Sequence, residues 1–113
     1  MTIKVKDKHS IEPIEMVPGI FRRTLVYNQD AMLCHFEMKK GAEIDLHSHP
    51  AAQLGFVVSG KAEFWYETKE NKTTVLPGQS YIIPGKVTHG AIIIEDTEII
   101  ECFAPSRPEY ENE

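Results

Sequence analysis

Three histidines and one glutamine lie between Gly41 and His89 at intervals that suit a single bound metal ion. The first block runs Gly41-x5-His47-x-His49-x3-Gln53-x6-Gly60, and the second Gly78-x5-Pro84-x4-His89. Side chains alternate along a strand, so His47 and His49 project from one face with Cα atoms about 7 Å apart. Pro50 breaks that run, and Gln53 opens the next apolar stretch, Gln53-Leu54-Gly55-Phe56-Val57-Val58, from which it can turn back toward the imidazoles. His89 follows Pro84-Gly85 at the start of another strand-like run and supplies a fourth donor from a distant part of the chain. Imidazole nitrogen is the commonest protein ligand for first-row divalent metals, and an amide oxygen is a neutral companion to it. A lone strand histidine is more often a core or surface residue. The joint spacing of all four donors, framed by glycines and prolines, is what points to one metal centre.

A second group lies near the end of the chain, in Glu101-Cys102-Phe103-Ala104-Pro105-Ser106-Arg107. By alternation Ile99, Glu101 and Phe103 share one face, while Ile100 and Cys102 take the other. A carboxylate, an aromatic ring and a guanidinium thus gather where the strand ends. Without further context they read as a surface acid, a core phenylalanine and a solvated arginine. Cys34 and Cys102 are the only cysteines, each in an alternating apolar run and without C-x-x-C spacing. Reduced thiols are expected, with no redox or nucleophilic role.

The elements that carry these groups are short strands. The 113 residues suit one domain, 1–113, with an ordinary 42% apolar and 26% charged composition. The net charge is −5 and the basic residues are scattered, so the positive patch that nucleic acid binding requires is missing. No apolar run approaches the roughly 20 residues of a membrane span, and Met1-Thr2-Ile3-Lys4 starts no secretory signal. A cytoplasmic location away from membranes is therefore expected.

Val, Ile, Phe, Tyr and Trp fill candidate strands at 3–6, 20–27, 31–38, 43–47, 53–59, 61–66, 72–76, 81–83, 91–94 and 97–103. Turn signals separate them, including Pro18-Gly19, Ser59-Gly60, Glu70-Asn71, Pro77-Gly78 and Glu95-Asp96. Strands this dense predict an all-β fold, a closed antiparallel sandwich or barrel. The start, to about residue 18, is a loose arm or an added edge strand. Residues 20–105 form the barrel core, and 108–113 an acidic, solvated tail. Exposed sheet edges, with Ile3, Val5 and Ile11 lacking a local core to cover them, predict a homodimer.

The two histidine blocks resemble the paired motifs of the cupin family, whose fold is a small jelly-roll type antiparallel β-barrel. The match covers Gly41 to about Ile94, with 17 residues between Gly60 and Gly78. Three departures stand out. Gln53 holds the place where a glutamate is usual, Ile93 that of an asparagine, and Pro84-Gly85 replaces P-x-G. Glutamate would subtract one charge from a divalent site, whereas glutamine leaves the ion's charge uncompensated. A neutral shell disfavours oxidative chemistry and leaves a stronger Lewis acid, which favours isomerisation, hydration or lyase reactions.

The end of the last strand, with an acid, Phe and Arg at this spacing and then Glu-Tyr, is similar to the small cupins of uronate metabolism, the KdgF type. That resemblance implies a single metal held by His47, His49, Gln53 and His89. The ion would be divalent, left open among nickel, zinc, iron, manganese and cobalt. It implies conversion of 4,5-unsaturated uronate monosaccharides to linear 5-keto-4-deoxyuronate, as in the degradation of pectin or alginate. Glu101 falls on the acid/base position, where aspartate is usual, Arg107 on the carboxylate-binding position, and Phe103 on a pocket-shaping one. Two other readings stay open: an iron-dependent dioxygenase acting on a small organic substrate, and a non-catalytic sugar-acid-binding cupin.

Overall fold

The computed structural model describes residues 2–111. Eight strands account for nearly all of its regular structure: β1 (Ile14–Val17), β2 (Ile20–Tyr27), β3 (Met32–Met38), β4 (Glu43–His47), β5 (Ala52–Tyr66), β6 (Thr68–Val75), β7 (Ser80–Ile83) and β8 (His89–Ala104). Short 3-10 turns sit at Lys8–Ser10 and Pro108–Tyr110. Among the described residues no helix is long and apolar enough to cross a membrane.

The two long strands, β5 and β8, pair along their length and form the spine. Each then takes two partners on its other edge. The first half of β8 pairs with β4 and the second half with β3, while β5 pairs first with β7 and then with β6. All pairings are antiparallel, and β1 and β2 extend the sheet beyond β3. The ends of the path, β1 and β6, do not pair, so the sheet curls without closing. Closure was the stronger expectation from strand density. Splitting of partners along β5 and β8 curves the sheet without it.

The turn signals inside the two spine strands mark bends, not ends. Ser59 pairs with Glu98 and Lys61 with Glu95, with register shifts on both sides. At the bend Gly60 has φ +95°, and a Cβ there would meet the Asp96 carbonyl oxygen at 2.3 Å. Four expected strands therefore become two, because the ladder continues through both bulges. The hairpin into β6 likewise turns earlier than Glu70-Asn71, at Glu67, whose φ is +68°.

The N-terminal segment divides. Residues 3–6 pair with no strand despite their alternation, and Ile3 and Val5 are 92% and 86% exposed. Ile14–Val17 instead forms the edge strand β1 against β2. The core lies inside the curl, from alternate residues such as Ile20, Met32, Cys34, Phe36, Val57, Ile93 and Ile99. Cys34 is buried there and Cys102 is half-buried on the opposite face, both as free thiols. Burial pushes the Cys34 thiol up to about 11, which suits an inert core residue.

Candidate functional site

The backbone register brings the histidines together. His47 ends β4 and pairs directly with His89, the first residue of β8. Their ring centroids are 4.5 Å apart, and His49, just beyond β4, lies 5.6 Å from His47 and 4.9 Å from His89. One ring nitrogen from each falls within 4.8 Å of the others.

The Nδ1 atoms of all three rings face backbone carbonyls: His47 to Asp45 at 2.8 Å, His49 to Ala51 at 2.8 Å and His89 to Val87 at 2.9 Å. A carbonyl only accepts, so each Nδ1 carries the proton and each Nε2 presents a lone pair. His89 Nε2 is buried with no hydrogen-bond partner among the described residues. Burial, reinforced by the other two rings, lowers the pKa of His89 to about 4, and burial likewise lowers that of His49. Neutral imidazoles are the state in which these side chains ligate metals.

Gln53 completes the arrangement. Its Nε2 donates to Glu101 Oε2 at 2.6 Å, which turns its Oε1 to within 3.1 Å of His49 Nε2. Two acceptors then confront each other. A cation placed among the imidazoles relieves that repulsion and satisfies His89 as well. The donor set fits a divalent ion bound by three nitrogens and one neutral oxygen.

Glu101 lies one row further along the sheet. Gly55 of β5 pairs with Tyr81 of β7 on one side and with Glu101 of β8 on the other. The Tyr81 ring crosses the bare Gly55 backbone, and its hydroxyl donates to Glu101 Oε2. A Cβ on Gly55 would sit 2.0 Å from Tyr81 Cζ, so only glycine permits this crossing. Both hydrogen bonds to Glu101 fall on Oε2, leaving Oε1 for the cavity. Glu101 is only 3% exposed, and burial raises its pKa to about 7 against the pull of Tyr81, Gln53 and Arg107.

Phe103 pairs with Gln53 in the neighbouring row and meets His49 edge-on at 5.8 Å. Arg107 places its guanidinium 5.0 Å from the Phe103 ring, while its Nε and Nη2 reach Glu109 Oε2 at 3.4 and 3.3 Å. His47, Gln53, His89, Glu101, Phe103 and Arg107 thus line one cavity of about 460 Å³, with His49 packed beside them. All seven residues singled out in the sequence come together.

Tyr81 and Arg22 escaped the sequence reading, and Tyr110 entered it only in the Glu-Tyr after Arg107, without a role. The sequence signal for Tyr81 is Gly55 itself, a glycine inside an apolar strand, which marks close approach by another group. The acidic tail is also more than solvated chain. Tyr110 lines the cavity, and its carbonyl accepts from the buried Thr24 hydroxyl at 2.6 Å. Asn112 and Glu113 lie outside the described residues.

Residues 34–103 match the cupin domain model. The pectin degradation protein KdgF of Dickeya dadantii is 26% identical over 98 residues, covering 85% of this chain and 87% of its own length. The structure of KdgF from Halomonas sp. superposes with a TM-score of 0.88 at 28% identity, covering 97% of this chain and all of the other. An RmlC-like cupin from Shewanella frigidimarina gives 0.87 at 24% identity, with 97% of each chain covered, and speaks for the fold. This chain belongs to the cupin family and resembles its small KdgF-like members.

Proposed function

We propose that this cupin is a metal-dependent enzyme that opens 4,5-unsaturated uronate monosaccharides to linear 5-keto-4-deoxyuronate. The observation that carries the reading is Glu101, a buried carboxyl poised near neutrality at the wall of a sugar-sized cavity, hydrogen-bonded to Gln53. The pectin-degradation relatives supply the substrate class. We assign His47, His49, Gln53 and His89 as the ligands of one divalent transition metal ion. Such an ion acts as a Lewis acid, stabilising negative charge that develops on a substrate oxygen.

The substrate is an enol ether that also carries a hemiacetal. Opening removes the proton of the C1 hydroxyl, breaks the bond from C1 to the ring oxygen and leaves an enolate. A proton added at C4 then gives the C5 ketone. Net protons are conserved, so one group can take a proton and return one. Glu101 does both, because near pH 7 neither of its forms dominates. A solvent-facing Glu101 would instead have favoured a binding protein. Arg107 binds the uronate carboxylate, and Phe103 shapes the wall against the sugar face.

The test is direct. The C4=C5 bond absorbs in the ultraviolet and ketonisation removes it, so the purified protein should accelerate its loss and a chelator should stop the reaction. Decay at the spontaneous rate with both galacturonate-derived and alginate-derived substrates would overturn the assignment. Oxygen uptake by the iron-loaded protein would point to the dioxygenase.

For assembly we propose a homodimer, supported by the open sheet edges at β1 and β6 and by the uncovered Ile3 and Val5. Light scattering at micromolar concentration should give twice the chain mass, and a monomer would refute it.

A further inference from the structure

Tyr110 is held from several directions. Thr24 donates to its carbonyl, and its own N–H donates to the Arg107 carbonyl at 2.9 Å. Phe103 meets its ring edge-on at 5.6 Å. Two guanidinium groups lie over the ring, Arg22 with Cζ at 4.2 Å from the centroid and Arg107 at 3.9 Å. The phenol oxygen, by contrast, has no hydrogen-bond partner among the described residues, although the residue lines the cavity with Gln53, His89 and Glu101.

Arg22 is a second oddity. It is 4% exposed, yet among the described residues no carboxylate pairs with it. Its Nη1 reaches only the Met16 sulfur at 3.0 Å, and its Nε has no partner. A buried cation without a counter-ion is costly, and the face of the Tyr110 ring offers it compensation. Arg107 has the opposite character. Glu109 takes its Nε–Nη2 edge with one oxygen, so a carboxylate approaching from the cavity is left the Nη1–Nη2 end. The Tyr110 phenol, stacked against this guanidinium, is placed to take one carboxylate oxygen while that end holds the other.

Building on the uronate reading above, we propose that the Tyr110 hydroxyl donates to one oxygen of the substrate carboxylate while Arg107 takes the other, with Arg22 as the positioning residue behind the ring. The stack at 3.9 Å sets the phenol beside the Arg107 guanidinium, where such a pair can share one carboxylate. Burial keeps the phenol pKa above its usual value, so the hydroxyl remains a donor at neutral pH. The flanking cations withdraw density from the ring and strengthen that donor.

Tyr110→Phe keeps the ring and both cation contacts and removes only the hydroxyl. KM for an unsaturated uronate should rise about ten-fold, as expected for a hydrogen bond to a charged group, with a much smaller change in kcat. Glu109→Ala frees the second, Nε–Nη2 edge of Arg107 and should recover part of that loss in the double variant. Arg22→Met should raise KM alone but add little on top of Tyr110→Phe, because both act through one hydroxyl. Calorimetric titration with galacturonate, which has the carboxylate but no reactive double bond, separates this inference from the reaction. Weaker galacturonate binding by Tyr110→Phe supports the shared carboxylate site even if the wild type turns over no unsaturated uronate. Equal galacturonate affinity in wild type and Tyr110→Phe overturns it, whatever the turnover.

Discussion

Replacing two imidazoles together, His47→Ala with His89→Ala, should strip the protein of metal while leaving it folded. The two residues are register partners at the start of β8, so the double variant removes one whole side of the ligand set. Loss of a supporting outer contact alone commonly costs about 10–100-fold in metal affinity, and loss of two direct ligands should exceed that. The fold should tolerate the change, since the core residues of β8, Ile93 and Ile99 among them, lie further along the strand. Elemental analysis reads the outcome, with thermal melts as the control. Added metal should raise the melting temperature of the wild type, which binds it only when folded, and leave the variant unchanged. Full metal content in the variant would refute these ligands.

Glu101→Gln should lower kcat by about 10²–10⁴-fold, the usual contribution of a proton-transfer group, with KM much less affected. The amide oxygen can still accept from Tyr81 and Gln53, so the side chain keeps its place. Stability should move the other way. The folded-state pKa of about 7 lies above the ordinary 4.5, so the folded protein holds this proton more tightly than the unfolded chain. Folding stability of the metal-free protein therefore falls as pH rises from about 4.5 through about 7, and stays reduced above it. Glu101→Gln removes that slope and should be the more stable form at pH 8, by an amount on the order of a few kcal/mol at most. Denaturant titrations of metal-free protein at pH 5 and pH 8 check this. A variant equally slow but destabilised at both values would mean that Glu101 only holds the fold.

The gathering of the four candidate ligands was legible because it depends on spacing along the chain. His47, His49 and Gln53 lie within one short segment, and Pro84-Gly85 announces the strand that brings back His89. Alternation put Glu101 and Phe103 on one face of β8, and the resemblance to the small uronate cupins, not alternation, gave that face its role. Tyr81 was not legible, because its meaning arises across three strands that are not consecutive in sequence. Arg22, and the part Tyr110 plays at the cavity, were hidden similarly. One sits in an alternating strand where it passes for an outward charge, and the other in a run of acids that passes for tail. The long strands misled in a different way. Turn residues at Ser59-Gly60 and Glu95-Asp96 bend a ladder without ending it when they face each other across the pair. Residues 3–6 show the converse, an alternating pattern with no neighbour to pair with.

The amide of Gln53 has a consequence for how such a centre changes during evolution. Its oxygen faces the imidazoles while its nitrogen donates to Glu101, so a single side chain serves two neighbours with opposite demands. Gln53→Glu would supply the metal with a charged ligand but would remove the donor and set two carboxyl groups against each other. One of them would have to keep a proton, and Glu101 is the one already closest to doing so. A lineage that exchanges glutamine for glutamate at position 53 should also change the residue at 101. The two positions should therefore drift as a linked pair, and the intermediate with both acids would be the valley between two working centres.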